Sequence, residues 1–115
     1  MKAKINKNSN ILLVDVDDTL ITFEPIIDKA PVFLSYKNKK FSVWPLTKNI
    51  EFVKQCAQRG FFIRVHSQGG HDWASRVIAA LELNDYVHSI ETKPKWYLDD
   101  LDANSWMDRI DKCRK

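Results

Sequence analysis

Three short apolar runs, each followed by polar residues, set the pattern of the chain. They cover residues 11–14, 61–65 and 96–98. The first is mostly β-branched, which is typical of a strand covered on both faces in a parallel sheet. A further short strand is expected near residues 86–90. We therefore expect at least four strands.

Helical patterns separate these runs. In the first such stretch apolar residues recur at helical spacing, at Leu46, Ile50, Val53 and Ala57. Gly60 ends that pattern, a second apolar face covers residues 73–81, and a last helix is expected from about Ser105. Strands that alternate with helices favour parallel pairing through right-handed crossovers.

Residues 20–45 carry a different pattern. Residues 32–36 and 40–44 flank the polar segment Lys37-Asn38-Lys39, and Pro45 closes the second run. Two short apolar segments around a polar turn predict a β-hairpin. We expect this hairpin, over about residues 31–45, to form a small flap.

Acidic residues follow the first apolar run directly. Asp15 and Asp17 stand at its end, one residue apart. In open α/β sheets ligands bind beyond the carboxyl ends of the strands, so both carboxylates are expected at a ligand or metal site. The alternative is that they form a turn, with Asp18 or Thr19 capping a helix.

The segment Asp15-x-Asp17-x-Thr19-Leu20 behind an apolar strand resembles the first motif of the haloacid dehalogenase superfamily of phosphohydrolases. Three further elements of that family follow in order, at Ser67, Lys93-Pro94 and Asp99-Asp100. Each later motif is common by itself, but the four together occur in the family's order and at predicted strand ends. The resemblance covers residues 11–104.

The resemblance implies an α/β fold with a Rossmann-like, three-layer parallel sheet and helices on both faces. The strand bearing Asp15 would lie centrally, between those ending at Ser67 and Asp99. At 115 residues the chain has the length of one domain, expected over residues 10–115 after a basic arm at 1–9. The stretch between the first motif and Leu46 has room for the hairpin only, so we expect no cap domain and an open site.

By the same resemblance, Asp15 is the nucleophile and forms an aspartyl-phosphate. Asp17 protonates the leaving oxygen and later takes a proton from the attacking water. Family members without an acid at the second position tend to be ATPases or dehalogenases. The presence of Asp17 therefore favours a phosphatase.

A carboxylate approaches a phosphate dianion only when cations screen both, and oxygen ligands suit Mg²⁺. The resemblance places Mg²⁺ between Asp15, the backbone carbonyl of Asp17, and Asp99. Asp100 would bind it through water or hold Lys93. The alternative for Asp99-Asp100 is an exposed turn.

The phosphate would be bound by the Ser67 hydroxyl and the nearby amides of Gln68 and Gly69, an arrangement like other backbone anion cradles. Lys93 would bind the phosphate and the charge on Asp15, with Lys95 as its rival for that role. Three further side chains are candidate substrate contacts: Thr19, Trp44 and His71. For His66 we expect a packing or surface role rather than a catalytic one, since it should face away from Ser67.

Charge and composition narrow the class of partner. Lys and Arg number 18 against 15 Asp and Glu, and this mild basicity favours anionic substrates. We expect a phosphorylated small molecule. One alternative is a polynucleotide 3′- or 5′-phosphatase whose hairpin lysines and Trp44 hold a strand, and another is a non-catalytic binding module with the same fold.

The sequence shows no secretory signal or apolar span, so no membrane partner is expected. Two unclustered cysteines, Cys56 and Cys113, fit a reducing compartment. We therefore expect a cytoplasmic location. The organic part of the substrate and the oligomeric state are left open.

Overall fold

The computed structural model describes residues 10–111. The predicted basic arm at 1–9 and Cys113 lie outside the described residues. The strands are β1 (Ile11–Asp15), β2 (Ile21–Thr22), β3 (Val32–Tyr36), β4 (Lys39–Pro45), β5 (Phe62–Ser67) and β6 (Ser89–Thr92). The helices are α1 (Thr47–Gln58) and α2 (His71–Ala80), with a 3-10 turn at Ala103–Ser105. The predicted α/β class is confirmed.

Strands β1, β5 and β6 form a parallel sheet in that spatial order. Asp15 pairs with His66, and His66 pairs with Glu91 on the other side. Both crossovers run in the same direction across the sheet and each contains one helix. Two crossovers of the same hand place α1 and α2 on the same face, and residues of both helices share one core with Val14 and Val65.

The core lies between that face and the two helices. Its buried residues include Val14, Ile63 and Val65 from the sheet, Val53 and Ala57 from α1, and Val77 and Ile78 from α2. On the opposite face, Leu13 and Arg64 are only half-buried. Since both α-helices of the described residues pack on one face, the three-layer Rossmann-like arrangement stays a prediction.

The strand order differs from the expected one. Within residues 10–111, β5 is the central strand and β1, which bears Asp15, is an edge strand. The predicted strand at 96–98 is wrong, because this segment is irregular and exposed. Next to it, the Asp99 carboxylate accepts the N–H of Leu101 at 3.1 Å. Such local side-chain bonds compete with strand pairing.

The predicted helix from Ser105 is also wrong. Only a 3-10 turn forms, and residues 106–111 have no helical structure. The Ser105 hydroxyl donates to the carbonyl of Asp102 at 2.7 Å, which favours a local turn over a longer helix. The large apolar residues left exposed between residues 96 and 110 are Trp96, Tyr97, Leu98, Leu101, Trp106, Met107 and Ile110.

The predicted hairpin forms from β3 and β4, and the name hairpin is used below for Val32–Pro45. Its turn consists of Lys37 and Asn38, both with positive φ (50° and 63°). This is the backbone conformation of the two-residue turns that match strand twist. A short strand that the sequence pattern did not indicate, β2, pairs with the far end of β4.

Across residues 10–111, neither helix reaches the length and apolar character that crossing a membrane requires.

A matched pair of leucines tests the packing. Leu83 is 0% exposed and Leu98 is 103% exposed. Leu83→Ala should lower the free energy of unfolding by about 2–5 kcal/mol because it leaves a cavity. Leu98→Ala should change it by less than about 0.5 kcal/mol. Urea unfolding followed by circular dichroism measures both, and a large loss at Leu98 would show that its segment is buried in solution.

Candidate active site at the strand ends

The ends of the three parallel strands bring together residues from three predicted motifs. The Lys93 ammonium lies 3.9 Å from the Asp15 carboxylate. The backbone N–H of Lys93 donates to the carbonyl of Ser67 at 2.8 Å. Lys95 instead lies over the ring of Trp96, at 5.5 Å from the centroid. Of the two candidate lysines, Lys93 is the one beside Asp15.

A tight turn follows β1 and carries Asp17. The carbonyl of Val16 accepts the N–H groups of Thr19, Leu20 and Ile21 at 2.9–3.3 Å. Asp18 has a φ of 62°, a left-handed conformation in which Asp is enriched among non-glycine residues. No helix begins here, so neither Asp18 nor Thr19 is a helix cap.

Asn49, in the first turn of α1, stabilises the turn after β1 by a hydrogen bond. Its side-chain amide donates to the carbonyl of Thr19 at 2.8 Å. Asn49 is buried, and a buried amide that donates to a turn fixes the backbone position of that turn. The sequence pattern did not indicate this role for Asn49, although an Asn within an apolar helical stretch was a signal for it.

Asp17 is bound by a buried tryptophan of α2. The indole N–H of Trp73 donates to one Asp17 carboxylate oxygen at 2.9 Å. Trp73 is 5% exposed, and its ring contacts three others, with centroid distances of 6.0 Å to Phe23, 5.4 Å to Tyr36 and 5.2 Å to Phe41. From the sequence, Trp73 was expected only on the apolar face of a helix. A buried indole needs an acceptor, and that requirement was the missed signal.

Ser67 and the turn after it pack against the same indole. The Ser67 hydroxyl oxygen accepts the N–H of Gly69 at 3.0 Å, and its carbonyl accepts the N–H of Gly70 at 3.1 Å. A Cβ atom on Gly69 would lie 2.9 Å from the Trp73 ring, so only glycine fits without a shift. Gln68 is exposed in this turn. The Ser67 hydroxyl keeps its own proton to donate.

β5 and β6 contribute further titratable groups near the strand ends. His66 is buried beside Asp15, and its Nδ1 has no hydrogen-bond partner within residues 10–111. Burial, and secondarily the charge of Lys93, lowers the pKa of His66. Arg64 donates to both oxygens of Glu91 at 2.8 and 3.3 Å. This hydrogen bonding lowers the pKa of Glu91 and raises that of Arg64.

The acidic pair at 99–100 is not part of this arrangement. Asp99 and Asp100 are exposed in the irregular segment after β6, and Asp99 closes a local turn. In the part of the chain that the structure describes, no three His, Cys, Asp or Glu side chains are grouped so as to hold a metal ion. The structure therefore brings Asp15 and Lys93 together without these two acids.

Three further residues were expected to contact the substrate: His71, Trp44 and Thr19. His71 is exposed at the start of α2, where its N–H donates to the Thr92 hydroxyl at 3.0 Å and its Nδ1 lies 3.1 Å from Asp72. Trp44 is half-buried in β4, and its indole N–H donates to the carbonyl of Lys29 at 3.2 Å. Thr19 is half-buried in the turn after β1.

Comparisons with family models, curated proteins and solved structures gave no match to this chain. The roles assigned to these residues therefore depend on the sequence motifs and on the geometry at the strand ends.

The buried imidazole of His66 predicts a loss of stability on mild acidification. Because its pKa is lowered in the folded state, the unfolded chain binds this proton first as the pH falls. The free energy of unfolding should therefore decrease from about pH 6.5 downward, towards the lowered pKa. Urea unfolding between pH 7 and pH 5 measures this decrease, and His66→Gln should flatten it.

His71→Gln is the matched control for that experiment, because His71 is exposed, and it should keep the decrease of the unsubstituted chain. Glu91 affects the free energy of unfolding in a separate pH range. Its pKa is lowered in the folded state, so its contribution to stability is lost only below about pH 4.3. The same decrease in the His66→Gln variant as in the unsubstituted chain would contradict the prediction.

Proposed function

We propose that the chain is a Mg²⁺-dependent phosphatase that hydrolyses a phosphomonoester through an aspartyl-phosphate. The observation that carries the proposal is the 3.9 Å approach of Lys93 to Asp15, next to the Ser67 carbonyl that binds the Lys93 backbone. Three residues from separate predicted motifs meet there, although they are distant in sequence. The pairing of β5 with β6 by itself places Lys93 beside Ser67, so the support for the proposal comes from the approach of the Lys93 ammonium to Asp15.

Asp15 is the proposed nucleophile. One of its carboxylate oxygens would attack phosphorus in line with the leaving oxygen, which divides hydrolysis into two easier steps. Lys93 faces that carboxylate and would balance negative charge on the phosphoryl oxygens. The Ser67 hydroxyl proton and the turn amide of Gln68 would add hydrogen bonds to the same oxygens.

Asp17 is the proposed acid and base. Trp73 binds its Oδ1, which fixes the orientation of the carboxyl group and leaves Oδ2 to carry the proton. Asp17 would give this proton to the leaving alcohol oxygen in the first step. In the second step it would take a proton from the water that attacks the aspartyl-phosphate.

The donors present around Asp15 fit Mg²⁺ by their chemistry. The Asp15 carboxylate and the Asp17 backbone carbonyl are hard oxygen donors, and Mg²⁺ commonly keeps several waters and uses only one or two carboxylates. When bound, the ion would neutralise charge between Asp15 and the phosphate. Asp99 and Asp100 stay proposed further ligands, and to act as such their exposed segment would have to approach Asp15.

We favour a catalytic role over a non-catalytic binding role. The substrate would be a small phosphorylated molecule or the phosphorylated end of a nucleic-acid strand. A chain that only bound a partner would have no need for Asp15, Asp17 and Lys93 to be intact together. We further propose an open site without a cap domain, and a cytoplasmic location remains an expectation from the sequence.

Substitution of the two acids separates their roles. Asp15→Asn should abolish turnover, because the amide is nearly isosteric but is a poor nucleophile. Asp17→Asn should lose most of its rate on an alkyl phosphate and less on an aryl phosphate, whose leaving oxygen needs little protonation. Steady-state kinetics on both substrates measure this. Equal losses of rate would speak against Asp17 as the acid, and an active Asp15→Asn variant would remove Asp15 as nucleophile.

Metal exchange tests the proposed cofactor. EDTA should inactivate the enzyme and Mg²⁺ should restore it. Ca²⁺ should inhibit, because its larger and looser coordination shell disturbs the in-line geometry. Phosphate release from an aryl phosphate gives the measurement. Activity that EDTA does not change would favour the turn-forming role of the acids.

A further inference from the structure

A groove lies between the hairpin and α2. Its volume is about 680 Å³, within the range of about 300–1,000 Å³ of ligand sites in proteins. Its lining includes Phe33, Ser35, Lys40 and Ser42 from the hairpin and Arg76 and Ala80 from α2. The proposed chemistry uses none of the residues that line this groove, although Leu34 and Phe41 also pack in the core.

The groove has a cationic lining. Two cations line it, Lys40 of the hairpin and Arg76 of α2, and no acidic residue is among its lining residues. The Arg76 guanidinium is held by two hydrogen bonds to the carbonyl of Ser35, at 2.9 and 2.8 Å. Two of its five N–H donors are used in this way. The others can bind an anion from a position that is already fixed.

Phe33 is the aromatic residue of the groove that the fold leaves uncovered. It is 74% exposed in β3, whereas Phe41 on the other strand packs against Trp73. An exposed ring in the same groove as two cations is the combination that binds single-stranded nucleic acid, in which bases stack and phosphates pair with cations. An acidic peptide would use the cations but would have no need of the ring.

Helix α2 connects the groove with the candidate active site, because it contributes residues to both. Arg76 lies three residues after Trp73 on α2, and side chains at this spacing are neighbours on a helix surface. Trp73 itself binds Asp17. A nucleic-acid strand that runs along α2 would connect a terminal phosphate at Asp15 with the groove.

We propose that this groove binds a single strand of nucleic acid whose terminal phosphate lies at Asp15. The inference deepens the proposed function and depends on it for the role of the terminal phosphate. The groove itself is testable without turnover. Phe33 stacks on a base, and Lys40 and Arg76 contact the backbone phosphates.

The test measures binding in an Asp15→Asn background, so that no hydrolysis occurs. Fluorescence anisotropy follows a labelled single-stranded DNA with a 3′-phosphate between 50 and 200 mM KCl. Lys40→Ala should lower the slope of log affinity against log salt by roughly 0.7, which is the loss of about one phosphate contact on a single strand. Phe33→Leu should weaken binding by about 5- to 100-fold at an unchanged slope, because it removes stacking and no charge.

Two variants serve as controls. Phe33→Tyr keeps an aromatic ring and should retain most of the affinity. Arg59→Ala removes an exposed cation just after α1, at the opposite end of the sheet from Asp15, and should leave both affinity and slope unchanged. Both Phe33 and Lys40 are exposed, so their substitution should not unfold the chain.

Unchanged binding in both Phe33→Leu and Lys40→Ala would overturn the proposal. So would equal affinity for an acidic phosphopeptide of the same net charge, which would indicate a protein partner instead. Phosphatase activity is measured separately on the unsubstituted chain. A chain that binds DNA as expected but hydrolyses no phosphomonoester would contradict the proposed function and support nucleic-acid binding in the groove. An active phosphatase that does not bind DNA would support the proposed function and contradict nucleic-acid binding in the groove.

Discussion

The hydrogen bond between Trp73 and Asp17 joins the parts of the structure on which the candidate site depends. The indole belongs to α2, the carboxylate belongs to the turn after β1, and the rings of Tyr36 and Phe41 attach the hairpin to the same indole. Each aromatic pair of this kind contributes about 0.5–1.5 kcal/mol beyond its buried area. A polar side chain at the strand ends is thus positioned by an apolar cluster. The Trp73 ring also lies so close to the turn after Ser67 that Gly69 has no room for a side chain.

Elements with strong local signals were predictable. β1, β5, α2 and the hairpin follow directly from apolar runs and periodicity, and Gly60 ends the helical stretch with a φ of 94°. β2 was missed because two residues are too few to show a period. At the site, the neighbourhood of Asp15, Ser67 and Lys93 was predictable because each lies at the end of a parallel strand or directly after it. The bonds from Trp73 and Asn49 were not predicted, because the pattern assigns each to a helix but does not show what it faces.

Long-range pairing was the part that local pattern could not determine. An apolar triplet such as 96–98 indicates that a segment can form a strand, but whether it pairs depends on an edge elsewhere in the chain. Pro94 before the triplet and the acids after it limit its length. The family resemblance gave β1 a neighbour on each side, whereas β1 has only β5 beside it in residues 10–111. Asp99 was expected beside Asp15 only because a strand at 96–98 would pair with β1. Without that strand, Asp99 lies in an exposed, irregular segment.

The parallel register of β1 and β5 also has a kinetic consequence. Ile11 pairs with Phe62, so the hairpin and all of α1 must be enclosed before the two strands can meet. Closing so long a loop is entropically costly, whereas the hairpin closes over a two-residue turn. Chains whose contacts are distant in sequence fold slowly compared with those whose contacts are local. We therefore expect the hairpin to form early and the meeting of Asp15 with Lys93 to be among the last events of folding.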